Sequence, residues 1–289
     1  MSQYVLLNGE TVEAGRGGVS VDDGGLLHGA GLFETIRAYQ GVPFRYEQHL
    51  ERMLRSAKTL DLPITADILP GRDEVCALAA KNALLSARVR LTVTAGPLSA
   101  AAGDDGPQPT VLLTAAAMPP YPPELYTEGM TVLISAYRQS RYDPLCGHKT
   151  TAYFARLCAL REAQRQDCAE ALWFTTENLL AEGSISNVFV VKDQKVKTPP
   201  VDTPVLPGVT RAAALELARD ANIITQELPL TLADLLEADE VFVTNAGFEV
   251  VPVVRVERKP IADEKPGVVS QALLERYRAA VEREIVCRL

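Results

Sequence analysis

The alternation of apolar and polar positions marks the first half of the chain as a mixture of strands and helices. Tyr4-Val5-Leu6-Leu7 and the stretch from Thr11 flank Asn8-Gly9. That dipeptide accepts positive φ at both central positions of a type I′ turn, so the chain is expected to open with antiparallel strands. From Glu47 to Leu60, Leu50, Met53, Leu54 and Ala57 recur at i, i+3, i+4 and i+7, the stripe of an amphipathic helix, and Arg52 falls off it. A second helix is expected around Gly71 to Ser86. Val89, Leu91 and Val93 then alternate with Arg88, Arg90, Thr92 and Thr94, the period of a strand with one polar face. Ala95 to Pro109, rich in Gly, Ala, Asp and Pro, reads as a long surface loop, and Val111 to Ala116 as a further strand.

The pattern breaks at Met118-Pro119-Pro120-Tyr121-Pro122-Pro123, which has few backbone donors and favours extended backbone. A linker over 118–124 is expected there, between domains of residues 1–117 and 125–289. The second half predicts a strand at Met130 to Ala136 and an irregular stretch from Arg138 to His148. A helix from about Thr150 then turns Phe154, Leu157, Cys158 and Leu160 inward. Strands at Ala171 to Thr175, Leu179 to Ala181 and Val188 to Val191 precede a Pro-rich loop, Thr198 to Pro204. A helix from Thr210 to Asp220, strands at Val241 to Thr244 and Glu249 to Val254, and a helix at Val268 to Glu284 complete the chain. Strands and helices mix without a regular βαβ beat, which favours an α+β fold over a doubly wound parallel sheet.

Composition narrows the classes of partner. Of the 289 residues, 47% are hydrophobic and 23% charged, ordinary globular values. The net charge of −8 has the wrong sign for a protein that neutralises a polyanion, so no nucleic acid partner is expected. No apolar run reaches the roughly 18–20 residues of a membrane span, and Met1 to Leu7 lack a leader pattern, so a cytoplasmic protein without membrane association is expected. Cys76, Cys146, Cys158, Cys168 and Cys287 are scattered and never form CxxC, and the three histidines, His28, His49 and His148, form no HExxH. Neither a disulfide framework nor a metal site is expected.

Three places have chemistry of interest. Leu206-Pro207-Gly208-Val209-Thr210-Arg211 runs from a glycine turn into a helix, where the free amides of Val209 and Thr210 and the Thr210 hydroxyl suit a phosphate, or merely cap the helix. Lys149 lies between an irregular loop and a helix beside His148, Thr150 and Thr151. It is either a solvated lysine or an amine able to attack a carbonyl as a Schiff-base former. Glu182, between two apolar strands, is either a turn residue or a buried carboxylate needing a cationic partner such as a pyridinium nitrogen. No GxGxxG opens a helix, and Cys146-Gly147-His148-Lys149-Thr150 lacks the order of a phosphate loop.

In their order these pieces resemble the class IV, or fold-type IV, pyridoxal-phosphate enzymes: branched-chain and D-amino-acid aminotransferases and aminodeoxychorismate lyase. The resemblance rests on Gly29 to Arg37, His49-Leu50-Glu51-Arg52, His148 to Tyr153, Glu182 to Asn187, Leu206 to Arg211 and Val243-Thr244-Asn245. It implies a two-domain α+β fold with pyridoxal 5'-phosphate between the domains, Lys149 as the Schiff-base and proton-transferring lysine, and Glu182 on the pyridine nitrogen. It further implies Arg52, Val209 and Thr210 on the phosphate and Tyr153 near the phenolic oxygen. The activity implied is transamination of an amino acid, branched-chain-like or other, with a 2-oxo acid; a lyase releasing pyruvate is the alternative. A homodimer is implied as well. His28 stands where branched-chain enzymes tend to have tyrosine, Thr35 where they have glycine, and Ala246 where a hydroxyl residue commonly adds a phosphate contact. Ala95 to Ala100 lack the arginine and histidine with which typical D-amino-acid enzymes clamp the substrate carboxylate. For substrate, Phe33 and His28 are candidates by position, and Arg88 and Arg90 offer planar bidentate forks for a carboxylate, or are solvated strand arginines; Arg138 and Arg141 are second choices.

Overall fold

A computed structural model of the chain describes residues 3–98 and 108–288. Met1, Ser2, Leu289 and 99–107, most of the expected Ala95 to Pro109 loop, lie outside the described residues. The chain divides into two compact units: 1–119 with 148–152 and 281–289, and 120–147 with 153–280.

In the first unit, β1 (Tyr4–Leu7) and β2 (Glu10–Glu13) form the expected hairpin, with Asn8 at φ 49° and Gly9 at φ 82°. After α1 (Gly24–His28) come β3 (Gly31–Tyr39), β4 (Val42–Pro43), α2 (Tyr46–Thr59), α3 (Arg72–Lys81), β5 (Ser86–Thr94) and β6 (Val111–Ala117). The strands make an antiparallel sheet ordered β2-β1-β6-β5-β3-β4. On one face Leu32, Ile36, Val89, Leu91, Val93 and Leu113 share a buried cluster with Met53 and Ala57 of α2 and Val75 and Leu78 of α3. Each fully buried side chain of this size contributes about 1.5–3 kcal/mol. The β3–β5 register pairs Phe33 with Thr92, Thr35 with Arg90 and Arg37 with Arg88, which places these side chains together on the opposite face.

Two expectations change in this unit, and one strand goes unexpected. The second helix stops at Lys81 because Asn82 turns its amide to the Tyr4 carbonyl and Ala83 takes φ 54°; Ser86 already belongs to β5. Strand β3 carries no clean sequence signal, because its core-facing row, Leu32, Glu34, Ile36 and Ala38, contains an acid. Arg52 belongs to the buried face of α2, with Tyr46, His49, Met53, Ser56 and Ala57.

The second unit holds α4 (Glu124–Thr127), β7 (Met130–Gln139), α5 (Phe154–Arg165), β8 (Glu170–Thr175), β9 (Leu180–Gly183), β10 (Asn187–Lys192) and β11 (Lys195–Thr198). It continues with α6 (Val209–Asp220), β12 (Thr225–Glu227), α7 (Leu232–Leu236), β13 (Glu240–Asn245), β14 (Glu249–Val256) and β15 (Lys259–Pro260). Helix α8 (Val268–Val286) begins in this unit. Its mixed sheet runs β12-β11-β10-β13-β14-β7-β8-β9 with β15 beside β14, and the β11–β12, β14–β7 and β7–β8 pairs are parallel. Val188, Val190, Val241, Val243, Val251 and Val253 form the core of one face. Phe189 and Phe242 stack on the other, with centroids 4.7 Å apart, and the pair Asn187–Thr244 continues that row.

Here Arg138 is strand rather than irregular, since β7 runs to Gln139, and Thr198 closes β11 instead of opening a loop. Helix α5 starts at Phe154, not Thr150, because Thr150 bridges to Leu32 in extended form. Its buried positions are the small Ala159 and Ala163; Phe154, expected inward, is 69% exposed and Leu157 is exposed too. No helix among the described residues is long and apolar enough to cross a membrane.

Candidate active site

Lys149 is carried by the first unit's sheet. The segment 148–152 lies along the start of β3: the Phe33 amide donates to the Lys149 carbonyl (2.9 Å) and the Thr151 amide to the Gly31 carbonyl (2.8 Å). The Thr151 hydroxyl donates to the Gly29 carbonyl (2.7 Å), and His148 Nδ1 is hydrogen-bonded to Ser56 Oγ at 2.9 Å. Gly29 takes φ 68°, and a Cβ there would stand 3.1 Å from that of Ala152, so the close approach of the two segments requires glycine. Lys149 Nζ stands 4.4 Å from the centroid of the Phe33 ring, and the Arg90 guanidinium carbon 3.8 Å from the same centroid. An amine and a guanidinium therefore share one buried aromatic ring, a favourable cation–π arrangement. Arg88 is exposed two residues along the same strand face, and His28 is exposed at the end of α1.

On the other side of β3, Glu34 is 1% exposed and binds Arg52 twice, with Nε donating to Oε1 at 2.8 Å and Nη2 to Oε2. His49 Nδ1 stands 2.7 Å from Oε2. Burial, the largest influence, pushes the Glu34 carboxyl up, but the Arg52 charge and the bonds from His49 and Arg52 outweigh it and bring it down to about 2. For His49 burial dominates and lowers the imidazole, so neutral His49 sits beside a carboxylate–guanidinium pair. This triad fixes the place of Arg52.

In the second unit Glu182, on β9, is 2% exposed and takes four donors. Oε1 accepts from Arg156 Nη2 (2.6 Å) and Gln139 Nε2 (3.1 Å), and Oε2 from the Leu206 amide (2.9 Å) and Asn187 Nδ2 (3.4 Å). The Tyr153 hydroxyl donates to the Ser184 carbonyl at 2.5 Å. Val209 and Thr210 are buried at the first turn of α6, which starts from Gly208 and has no acidic residue in that turn. The first amides of a helix have no acceptor within it.

Gly208 is packed against the β10 edge so closely that a Cβ would lie 2.0 Å from Asn187 Oδ1. Opposite Asn187 in the sheet register, the buried Thr244 hydroxyl has no hydrogen-bond partner among the described residues. Buried polar atoms are rarely left so unless a ligand completes them. Within the second unit, the glycine turn at a helix start and the orphaned hydroxyl suit a phosphate monoester, and the buried Glu182 carboxylate suits a pyridinium nitrogen; within the first, the Lys149 amine suits an aldehyde. Gly208→Ala is expected to push Asn187 aside and weaken cofactor binding about tenfold or more, while the apo protein melts nearly unchanged. Fluorescence titration with the cofactor measures this.

Of the residues singled out in the sequence, Arg52, Glu182, Val209 and Thr210 are buried polar or helix-start positions, and Lys149 lies against Phe33. Sequence reasoning gave no role to Glu34, Gln139, Arg156, Asn187 or Thr244. For Arg156 the signal was present, since a buried glutamate needs a cation and an arginine follows Lys149 on the next helix.

The amino-transferase class IV family model matches residues 31–256. The chain is 35% identical over 283 residues to a putative branched-chain-amino-acid aminotransferase of Methanocaldococcus jannaschii, covering 95% of each chain. It is 31% identical to a D-alanine aminotransferase of Listeria monocytogenes, covering 96% of each. Among solved structures it is similar to the T.th branched-chain amino acid aminotransferase with pyridoxamine 5'-phosphate, with a TM-score of 0.86, 28% identity and 97% and 94% of the two chains covered. With the family model matching residues 31–256 and this likeness over nearly its whole length, the chain belongs to the class IV aminotransferases, enzymes that work with pyridoxal 5'-phosphate.

Proposed function

We propose that the protein moves an amino group between an amino acid with a branched-chain-like side chain and a 2-oxo acid, with Lys149 as its catalytic acid and base. The observation that carries this reading is the Phe33 ring, which holds Lys149 Nζ at 4.4 Å and the Arg90 guanidinium at 3.8 Å. Bound pyridoxal phosphate supplies an electron-withdrawing ring that stabilises negative charge at the substrate Cα. Lys149 Nζ takes the Cα proton in one half-reaction and returns a proton in the other. Arg90 presents a planar fork to the substrate carboxylate, Phe33 gives an apolar wall, and Arg88 and His28 are outlying substrate contacts. Once the cofactor binds, Glu182 would take the ring nitrogen, Tyr153 would be the hydroxyl nearest the phenolic oxygen, and Arg52, Val209 and Thr210 would hold the phosphate. The relatives' names include branched-chain and D-alanine aminotransferases, so both kinds of donor belong in the test.

A panel of L- and D-amino acid donors against 2-oxo acids tests the proposal. A shift of the cofactor absorbance with donor alone, followed by amination of the acceptor, is expected; pyruvate release without any acceptor would instead make the protein a lyase. Arg90→Ala should raise KM for the acid substrates about 10–100-fold with a smaller change in kcat, since charge-assisted hydrogen bonds are worth roughly 1.5–3 kcal/mol. An unchanged KM removes Arg90 from carboxylate binding.

A cytoplasmic homodimer is part of the same proposal. Leu26 and Leu27 on α1 are 66% and 52% exposed, large apolar residues of the kind a second copy covers, and all five cysteines are free. Sedimentation of the enzyme at working concentration checks the assembly; a monomer with full turnover would overturn it.

A further inference from the structure

We infer that Arg156 is a positioning residue that sets how firmly Glu182 holds the proton on the cofactor's ring nitrogen. The inference rests on the proposed role of Glu182. Arg156 stands on the first turn of α5 and grips β9 at two successive residues: Nη2 donates to Glu182 Oε1 at 2.6 Å and Nη1 to the Gly183 carbonyl at 3.0 Å. Its guanidinium carbon lies 5.4 Å from the Trp173 ring, and Trp173 Nε1 donates to Ser184 Oγ at 3.0 Å, so the cation is braced by β8 and the turn after β9 as well as by its own helix. The side chains of Arg156 and Glu182 are 19% and 3% exposed, which leaves little water to screen the pair. Burial, the largest influence, weakens a guanidinium's hold on its proton, but the charge and hydrogen bond of Glu182, with smaller contributions from Tyr153 and Cys146, together outweigh it and raise Arg156.

Two effects follow. Glu182 is held in one orientation before any cofactor arrives, because Arg156, Gln139, Asn187 and the Leu206 amide already donate to both oxygens. A carboxylate that already carries one cation attracts a second less strongly. The ring-nitrogen proton is therefore held less tightly than by an unshared glutamate, and the electron demand of the ring is set by Arg156 as well as by Glu182. The other donors to Glu182 are neutral, so this grading belongs to Arg156.

The test reads the ring nitrogen directly. Holoenzyme loaded with cofactor labelled with 15N at that position is titrated by solid-state NMR, and cofactor Kd and the melting of the apo protein are measured alongside. Arg156→Gln is expected to raise the midpoint of ring-nitrogen protonation by about one pH unit, with Arg156→Lys restoring it, and to have little effect once Glu182 is replaced by Gln. A midpoint unmoved by Arg156→Gln, or moved equally in the Glu182→Gln background, overturns the inference while leaving the role of Glu182 standing. A ring nitrogen unaffected by Glu182→Gln alone overturns the assignment of Glu182, and the inference with it.

Discussion

Lys149→Ala is expected to lower turnover by at least about 10³-fold and to abolish the covalent link to the cofactor, while the fold persists. Two losses combine. In the proposed function the amine attacks the cofactor's carbonyl carbon and is also the acid and base for the Cα proton, a role worth roughly 10²–10⁴-fold by itself. The main chain of residue 149 accepts the Phe33 amide whatever its side chain, so the local structure does not depend on the amine. Borohydride reduction followed by mass spectrometry should find a cofactor adduct on the wild type and none on the variant. A variant that retains both adduct and turnover would remove Lys149 from the chemistry.

Glu34→Gln is expected to cost about 3–5 kcal/mol at neutral pH, the usual penalty for stranding one member of a buried ion pair. Arg52, 4% exposed, would lose its ionised partner, and a melting temperature lower by roughly 10 °C is expected for a chain of this size. The wild type should show the same dependence through acid. With the carboxyl at about 2 in the fold against 4.5 for an ordinary glutamate, the folded state binds fewer protons than the unfolded one. Its contribution, on the order of 3 kcal/mol, is complete above pH 4.5 and is lost as pH falls toward 2. His49, also lowered, adds a loss that begins as pH drops below its unfolded value of 6.5. Thermal melts across this range check both; a variant that melts with the wild type at neutral pH would show that the pair carries no stability.

Strand β5 was legible because its two faces differ simply, arginine and threonine against valine and leucine. The neighbouring β3 was not, since its buried face includes Glu34 and its other face the buried Phe33. Periodicity weighs side chains by size, so it turned the bulky Phe154 inward on α5 in place of Ala159 and Ala163, the small residues that allow close approach. The chemistry-bearing residues were legible where their types are unusual in context, as with Lys149 before a helix or Gly208 ahead of Val209 and Thr210. Gln139, Asn187 and Arg156 converge on one carboxylate from three elements, and no spacing along the chain announces such a meeting.

The insertion of 148–152 into the first unit has a consequence for how the enzyme comes to exist. Lys149 is encoded beyond the proline-rich segment, but the backbone bonds that place it come from β3. A fragment beginning after Pro123 would carry Lys149 without the strand on which it lies. The residues of β3 come earlier in the chain than Lys149, so the bonds that place the lysine can form only once both stretches of chain have been made.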